Sequence, residues 1–179
     1  MSKLTITEAL AEIKTVGKRI AAKHAFVVQH LLRQAIVKDS LEREGGSPEL
    51  VGRELQGVKD LFERVVMLRI GIQDANRKTK VTVGKETRTI AEWLAWRKDV
   101  SKVEGDFYDD LQQRIVNARN NIAKQADRMT DVDRAAGGAD IVVHLSETEL
   151  AKRRESIQQV LGELDGQLSL KNATTFVEV

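Results

Sequence analysis

Apolar residues recur every three or four positions along most of the chain. Near the start they follow alternating steps of four and three, at Ile6, Leu10, Ile13, Gly17, Ile20, His24, Val27 and Leu31. This heptad spacing is typical of a helix that packs against another helix, as in a coiled coil. Thr5 and Glu8 have the spacing of a capping box, which predicts that the helix begins there. The stripe broadens beyond Ala25, and we expect the helix to continue to about Leu41.

Ser47 and Pro48 predict the start of a second helix, with the serine as N-cap and the proline in the first helical position. Its stripe keeps the heptad step, at Val51, Leu55, Val58, Phe62 and Val65, joined by Leu61, Leu68 and Ile72. The short "EGGS" connection predicts that residues 1–75 form an antiparallel helical hairpin.

The segment 76–89, "NRKTKVTVGKETRT", alternates β-branched and polar residues around Gly84. This pattern predicts a small β-hairpin. Thr89 and Glu92 form a second capping-box pattern, which predicts a long helix over residues 90–130. The stripe of this helix comprises Trp93, Trp96, Val100, Val103, Phe107, Leu111, Ile115, Ala118, Ile122 and Met129.

The last part of the chain predicts a short strand, a helix and an extended tail. The run "DIVVHL" at 140–145 is β-branched, and we expect an edge strand there. Ser146 begins a third capping-box pattern, and helix 146–170 follows. Its stripe comprises Leu150, Ile157, Val160, Leu161, Leu164 and Leu168. The tail 171–179 alternates like a strand and is expected to pair within the chain or with a neighbouring chain.

These elements predict one fold class. The chain is mainly α, an antiparallel bundle of long helices made of two coiled-coil-like helical hairpins, with a small β-hairpin or sheet at one end. Its 179 residues suit a single domain, 1–179.

Charge and composition narrow the function. Lys and Arg number 29 and Asp and Glu number 27, and a formal charge of +2 gives no strong field for nucleic acid or membranes. The absence of cysteine excludes disulfides and Cys-based zinc sites. No segment has the roughly 20 apolar residues that cross a bilayer. The N-terminus lacks the apolar run of a secretion signal, so we expect a cytoplasmic protein with no membrane contact.

Both tryptophans, Trp93 and Trp96, follow the predicted hairpin in a chain that is only 4% aromatic. Large rings here favour packing where helix ends meet a small sheet. A stacking platform for a base would also need a basic groove, and acids interrupt the basic residues nearby. Nucleic-acid binding is therefore an alternative, with Arg77, Lys78, Lys80, Arg88, Arg97 and Lys98 as candidate contacts.

No pattern of catalytic or cofactor-binding residues is present. The chain has no Gly-x-Ser-x-Gly elbow and no glycine-rich phosphate loop, and its three histidines lack metal-site spacing. Asp127, Asp131 and Asp133 match no calcium-loop spacing and are interpreted as a solvated helix end. We predict a non-enzymatic protein without catalytic residues, metal or cofactor.

Four segments, "LTITEALAEIKTVGKRI", "RIGIQDANRKTKV", "TIAEWLAWRKDV" and "ELDGQLSLKNATTFVEV", share an order of short motifs with a known family. The matching positions are Asn76, Thr89, Arg97, Asp99, Leu164, Asp165, Asn172 and Thr174. In these motifs the chain resembles the septicolysin-like family, small helical bacterial and phage-borne proteins of poorly defined function. The resemblance implies a helical fold with a minor sheet and no catalytic residues.

The first and third predicted helices are longer than the fourth, so part of their apolar stripes would be bare in a monomer. Large bare apolar patches usually mark interfaces. We predict a self-associating structural protein, and the phage-borne relatives make a virion component, such as a capsid-associated or connector subunit, the specific hypothesis. Its partners would be copies of itself and other virion proteins, in the virion or the cytoplasm.

Two alternatives remain: a nucleic-acid-associated helical protein, and a cytoplasmic oligomer of the septicolysin-like family. The predicted core or interface positions are Ile6, Leu10, Ile13, Ile20, Val27, Leu31, Val51, Leu55, Val58, Phe62, Val65, Trp93, Trp96, Phe107, Leu111, Leu161, Leu164 and Phe176.

Overall fold

The computed structural model describes residues 3–126 and 142–178. In this part of the chain the fold is mainly α, with long helices and two small two-stranded sheets, which confirms the predicted fold class. The chain divides into two compact units rather than forming one. We name Met1–Lys80 with Leu168–Val179 the terminal unit, and Val81–Gln167 the central unit.

The elements follow one another in simple order. They are β1 (Lys3–Thr5), α1 (Ile6–His30), a 3-10 turn (Glu42–Glu44), α2 (Ser47–Lys78), β2 (Lys80–Val83), β3 (Glu86–Thr89), α3 (Ile90–Ala95), a π-helical turn (Trp96–Val100), α4 (Ser101–Ala126), α5 (Glu147–Thr174) and β4 (Phe176–Glu178). The predicted long helix 90–130 is described only as far as residue 126, and its last positions lie outside the described residues.

Two helices begin with the capping boxes that the sequence predicts. The backbone N–H of Glu8 donates to the Thr5 hydroxyl at 3.2 Å, and the Thr5 N–H donates to the Glu8 carboxylate at 2.8 Å. These hydrogen bonds, the backbone one foremost, lower the pKa of Glu8. Thr89 and Glu92 make the same two bonds, at 3.2 and 2.7 Å. Each box satisfies backbone donors that a helix start leaves unpaired.

Helices α1 and α2 form an antiparallel hairpin in the terminal unit. The positions of α1 that face inward step by three and four, at Ile6, Ala9, Ile13, Val16, Ile20, Lys23 and Val27.

At every second position, the residue of α1 that faces inward is therefore the one just before the predicted residue. The predicted positions Leu10, Gly17, His24 and Leu31 are exposed. Ala9 and Val16 take the inward places because small side chains let two helices approach closely. The prediction that His24 lies on the seam is wrong, because Lys23 takes the inward place in that turn and pairs with Glu54.

Two ion pairs cross the α1–α2 seam and set its register. The Lys23 ammonium lies 2.6 Å from the Glu54 carboxylate, and the Arg64 guanidinium donates to both oxygens of Glu12 at 2.7 and 3.2 Å. The hydrogen bond to Glu12 raises the pKa of Arg64. Gly57 leaves room for the lysine, because a Cβ there would lie 3.1 Å from the Lys23 Nζ.

Helix α1 ends at His30, and the predicted continuation to Leu41 is wrong. The chain instead returns to α2 through a connector that Asp39 closes. The Asp39 carboxylate accepts the Ser47 N–H at 2.8 Å and the Ser47 hydroxyl at 2.6 Å, and these bonds, the hydroxyl one foremost, lower the pKa of Asp39 to about 2. Ser47 is thus the first helical residue and not the N-cap, which is Gly46 with a φ of 89°.

The two ends of the described chain pair with each other. Strands β1 and β4 are antiparallel, with Leu4 opposite Val177. The predicted tail 171–179 is therefore helical as far as Thr174, and its strand pairs within the chain. Val177 is buried against α2 at Gly71, where a Cβ would lie 2.5 Å from the Val177 Cγ1. Only glycine allows the terminal strand to lie this close to the helix.

The central unit begins with the β-hairpin of β2 and β3, which lies within the predicted segment 76–89. Gly84 has a φ of 57°, the left-handed conformation that a tight hairpin turn requires. Val81 and Val83 are buried on one side of the hairpin.

The π-helical turn between α3 and α4 changes which residues of the third helix face inward. The Ser101 N–H bonds to the carbonyl of Trp96, five residues earlier. This turn holds one residue more than an α-turn, so the inward stripe moves by about 100°. Ser101 is buried, and the predicted stripe residues Val103 and Phe107 are exposed.

Helices α4 and α5 of the central unit run antiparallel, as a second helical hairpin requires. Arg119 pairs with Glu147 near the start of α5, and Arg154 lies 2.9 Å from Asp109 further along. The inward stripe of α5 in this unit includes Leu150, Ile157 and Leu164, all buried. Leu168 is also buried but belongs to the terminal unit.

The predicted strand at 140–145 is not formed in its described part, because residues 142–145 have no strand partner there. Residues 140 and 141 lie outside the described residues. The helix that follows has half of its predicted capping box. The Glu149 N–H donates to the Ser146 hydroxyl at 3.1 Å, but the Glu149 carboxylate contacts Arg153 at 2.9 Å.

We expect Gly71→Ala to destabilise the protein by about 1–3 kcal/mol, because the new methyl group would overpack against Val177. Gly52→Ala is the matched control in the same helix, since a Cβ at Gly52 meets nothing within 4 Å. The control should stabilise the protein by up to about 1 kcal/mol through helix propensity. Chemical denaturation of both variants measures these changes, and equal effects of the two would show that strand β4 does not need the glycine.

Candidate functional site

The ring of Trp93 lies in the core of the central unit and is 2% exposed. Its Nε1–H donates to the Val81 carbonyl at 3.0 Å. The Arg88 guanidinium lies 4.8 Å from the ring centroid, and Trp96 packs against it edge-on at 5.7 Å. The indole N–H thus has Val81 as its acceptor, and Arg88 and Trp96 contact the ring itself. The ring joins the hairpin to α3 by packing, which is the role that the sequence favours.

A cleft of about 490 Å³ lies beside Trp96, between the hairpin turn and α5. The Gly84 N–H donates to the Glu163 carboxylate at 3.2 Å, and Arg88 lies 2.5 Å from Glu86. The size lies within the range of about 300–1,000 Å³ found for small-molecule sites. Its charged groups are of both signs, so the charge of the cleft favours no class of ligand.

The candidate nucleic-acid contacts are divided between the two units. Arg77, Lys78 and Lys80 belong to the terminal unit, whereas Arg88, Arg97 and Lys98 belong to the central unit. All three arginines also have acidic partners: Arg77 with Asp74, Arg88 with Glu86, and Arg97 with Asp165, at 3.3, 2.5 and 2.6 Å. Such pairing lowers the positive potential that phosphate binding depends on.

Metal-binding and membrane-spanning arrangements were sought in the same residues. Within residues 3–126 and 142–178, no three or more His, Asp or Glu side chains are arranged to hold a metal ion. The acids Asp127, Asp131 and Asp133 lie outside the described residues. No described helix is long and apolar enough to cross a membrane.

The two sides of the α1–α2 seam differ in chemistry. Successive residues turn by about 100° around a helix, which places Glu12 and Arg64 on one side of the seam. Leu10 on α1 and Phe62 on α2 then project to the opposite side. One side of the hairpin is therefore ion-paired, and the other is apolar.

We name this second side the apolar face. Its members are Leu10, Val28, Leu55, Phe62 and Val66. The three members on α2 are 53–56% exposed and lie within about 40° of one another around the helix. Lys59 lies in the same row, between Leu55 and Phe62. The sequence predicts Leu55 and Phe62 as interface positions but not Val66, although Val66 follows Phe62 at a step of four.

The predicted core or interface positions divide into three groups. Buried are Ile6, Val27, Trp93 and Leu164. Half-buried are Ile13, Ile20, Val51, Val58, Val65, Trp96, Leu111 and Leu161. Exposed are Leu10, Leu31, Leu55, Phe62, Phe107 and Phe176. The exposed group is not part of the core and remains a set of interface candidates.

Two of the positions that carry the family resemblance are in contact. The Arg97 guanidinium donates to the Asp165 carboxylate at 2.6 Å and so joins the π-helical turn to α5. Exposed ion pairs of this kind add little stability, about 0–1 kcal/mol, so the pair positions the helices more than it stabilises them.

No family model and no curated protein matches the chain. Among solved structures, the chain is similar to a functionally unknown conserved protein from Corynebacterium diphtheriae. The two share 18% sequence identity and a TM-score of 0.54, over 99% of this chain and 100% of the other. This likeness shows the fold alone. The resemblance to the septicolysin-like family stays a prediction.

We expect Trp93→Ala to lower the free energy of unfolding by about 3–5 kcal/mol, because it empties a buried site. Phe107→Ala is the matched control, since Phe107 is exposed in the same unit. The control should change stability by no more than about 0.5 kcal/mol. Chemical denaturation measures both, and an unchanged midpoint for Trp93→Ala would favour the ligand-platform interpretation.

Proposed function

We propose that this chain is a non-enzymatic assembly protein whose copies associate through the apolar face of the terminal unit. The observation that carries the proposal is the row of half-exposed apolar residues on α2, next to Leu10 and Val28 of α1. Exposed apolar residues grouped along one side of a helix, as here, favour a protein–protein interface, whereas single exposed apolar residues do not.

The spacing of the row indicates the kind of partner. Leu55, Phe62 and Val66 repeat at steps of seven and four, which matches the surface of another helix. A second copy offers the same face, and two identical faces can pair about a twofold axis. A four-helix arrangement of two hairpins would cover both faces.

A virion component, such as a capsid-associated or connector subunit, is the specific assembly that we propose. Its support is the resemblance to phage-borne proteins, together with a fold made of helical hairpins. Other virion proteins would then be partners besides the second copy. Detection of the protein in purified particles of its source would test this finer proposal.

We expect Phe62→Asp to weaken self-association by about 2 kcal/mol or more, because it places a charge at the centre of the apolar face. Met67→Asp is the control: Met67 is equally exposed on the same helix but points about 100° away from Val66. Sedimentation velocity over a concentration series measures the association constants. A wild-type protein that stays monomeric throughout would show that the proposal is wrong.

We expect Lys59→Leu to strengthen association by about tenfold, because a lone lysine in an apolar helix row costs stability while it specifies register. The oligomer distribution should also broaden. Lys98→Leu adds the same side chain outside the apolar face and should leave association unchanged. Weaker association of Lys59→Leu would place Lys59 outside the interface.

A further inference from the structure

The connector between α1 and α2 exposes large apolar side chains. Leu31, Leu32, Ile36 and Val37 are 58, 85, 92 and 51% exposed. Connecting segments usually present polar residues to water, and a cluster of exposed aliphatic residues is a feature to explain.

Nothing in the local sequence explains why α1 stops at His30. Residues 31–44 contain no glycine and no proline. Leu31 itself keeps helical angles, with φ −66° and ψ −36°. The residues that do favour a stop, Gly45 and Gly46, come later and have φ values of 107° and 89°.

Contacts of Asp39 maintain the present form of the connector. Its carboxylate accepts from the Ser47 N–H and hydroxyl, and from the Leu41 N–H at 3.0 Å. These bonds fasten the connector to the start of α2, and a longer α1 would have to break them.

We infer that residues 31–41 become helical and extend α1 when two copies of the chain associate. This inference rests on the proposed self-association. A continued helix would place Leu32 and Ala35 in line with Val28 of the apolar face. Leu31 and Leu41 would lie within about 40° of Val27 and so continue the inward stripe. The extension would therefore lengthen both apolar stripes of α1.

The register of the hairpin leaves the extension without a helix of its own chain beside it. Lys23 pairs with Glu54, so His30 is level with Ser47, the first residue of α2. An extension to Leu41 would project about 16 Å beyond α2, where the chain's own hairpin has no helix to cover it. The six steps from Leu41 to Ser47 reach about 20 Å, enough for the chain to return.

The test is hydrogen exchange of the full chain at concentrations below and above the association midpoint measured by sedimentation. We expect the amides of residues 31–41 to exchange at least about 100-fold more slowly in the associated state. Association without this protection would overturn the inference and leave the proposed self-association intact. A chain that stays monomeric would overturn both. The amides of residues 31–41 could instead become protected only when lipid vesicles are added, and not at high protein concentration. That result would overturn the inference that a second copy covers the extension.

Two variants separate the connector from the rest of the interface. Asp39→Ala removes the hydrogen bonds that hold the connector to the start of α2. It should lower the association Kd by about threefold or more, because a smaller fraction of the free chain then keeps the connector in its present form. Glu42→Ala is its control in the same connector and should leave the Kd unchanged. Leu32→Asp should weaken association without changing the melting of the monomer, because Leu32 is 85% exposed in the free chain. Unchanged association for both Asp39→Ala and Leu32→Asp would overturn the inference.

Discussion

A pair of helices can bury only one stripe of each, and this constraint shapes the terminal unit. Both α1 and α2 carry apolar residues over an arc wider than their shared seam. The inward stripe takes Ile6, Val27 and Leu68, and Phe62 and Val66 are left on the surface. The apolar face is thus present because α1 and α2 carry more apolar surface than two helices can bury against each other.

Polar contacts decide which side of the hairpin remains bare. Glu12 with Arg64, and Lys23 with Glu54, occupy one side of the seam. Half-buried pairs of this kind contribute specificity of register as well as energy. Because they occupy that side, the opposite side is the one left for a partner. The positions of the ion pairs and the positions of the exposed apolar residues therefore indicate the same interface.

The differences between the expected and observed helices come from effects that hydrophobic spacing does not record. Heptad counting could not choose between Leu10 and Ala9, because both lie within one step of the seam. It also could not detect the π-helical turn, since one extra residue in a turn is not visible in the composition. That residue nevertheless rotates the positions after Trp96 around the helix axis. The end of α1 was missed because Asp39 and Ser47 are eight residues apart and meet only in the folded hairpin.

The sequence alone determined the features whose causes lie within a few residues. The capping boxes at Thr5 and Thr89, the glycine turn at Gly84 and the helical class all follow from local hydrogen bonding and backbone sterics. Tertiary structure decided the phase of the seam, the length of α1 and the pairing of β1 with β4. Those features depend on contacts between residues far apart in the chain, and such contacts exist only once the helices have packed.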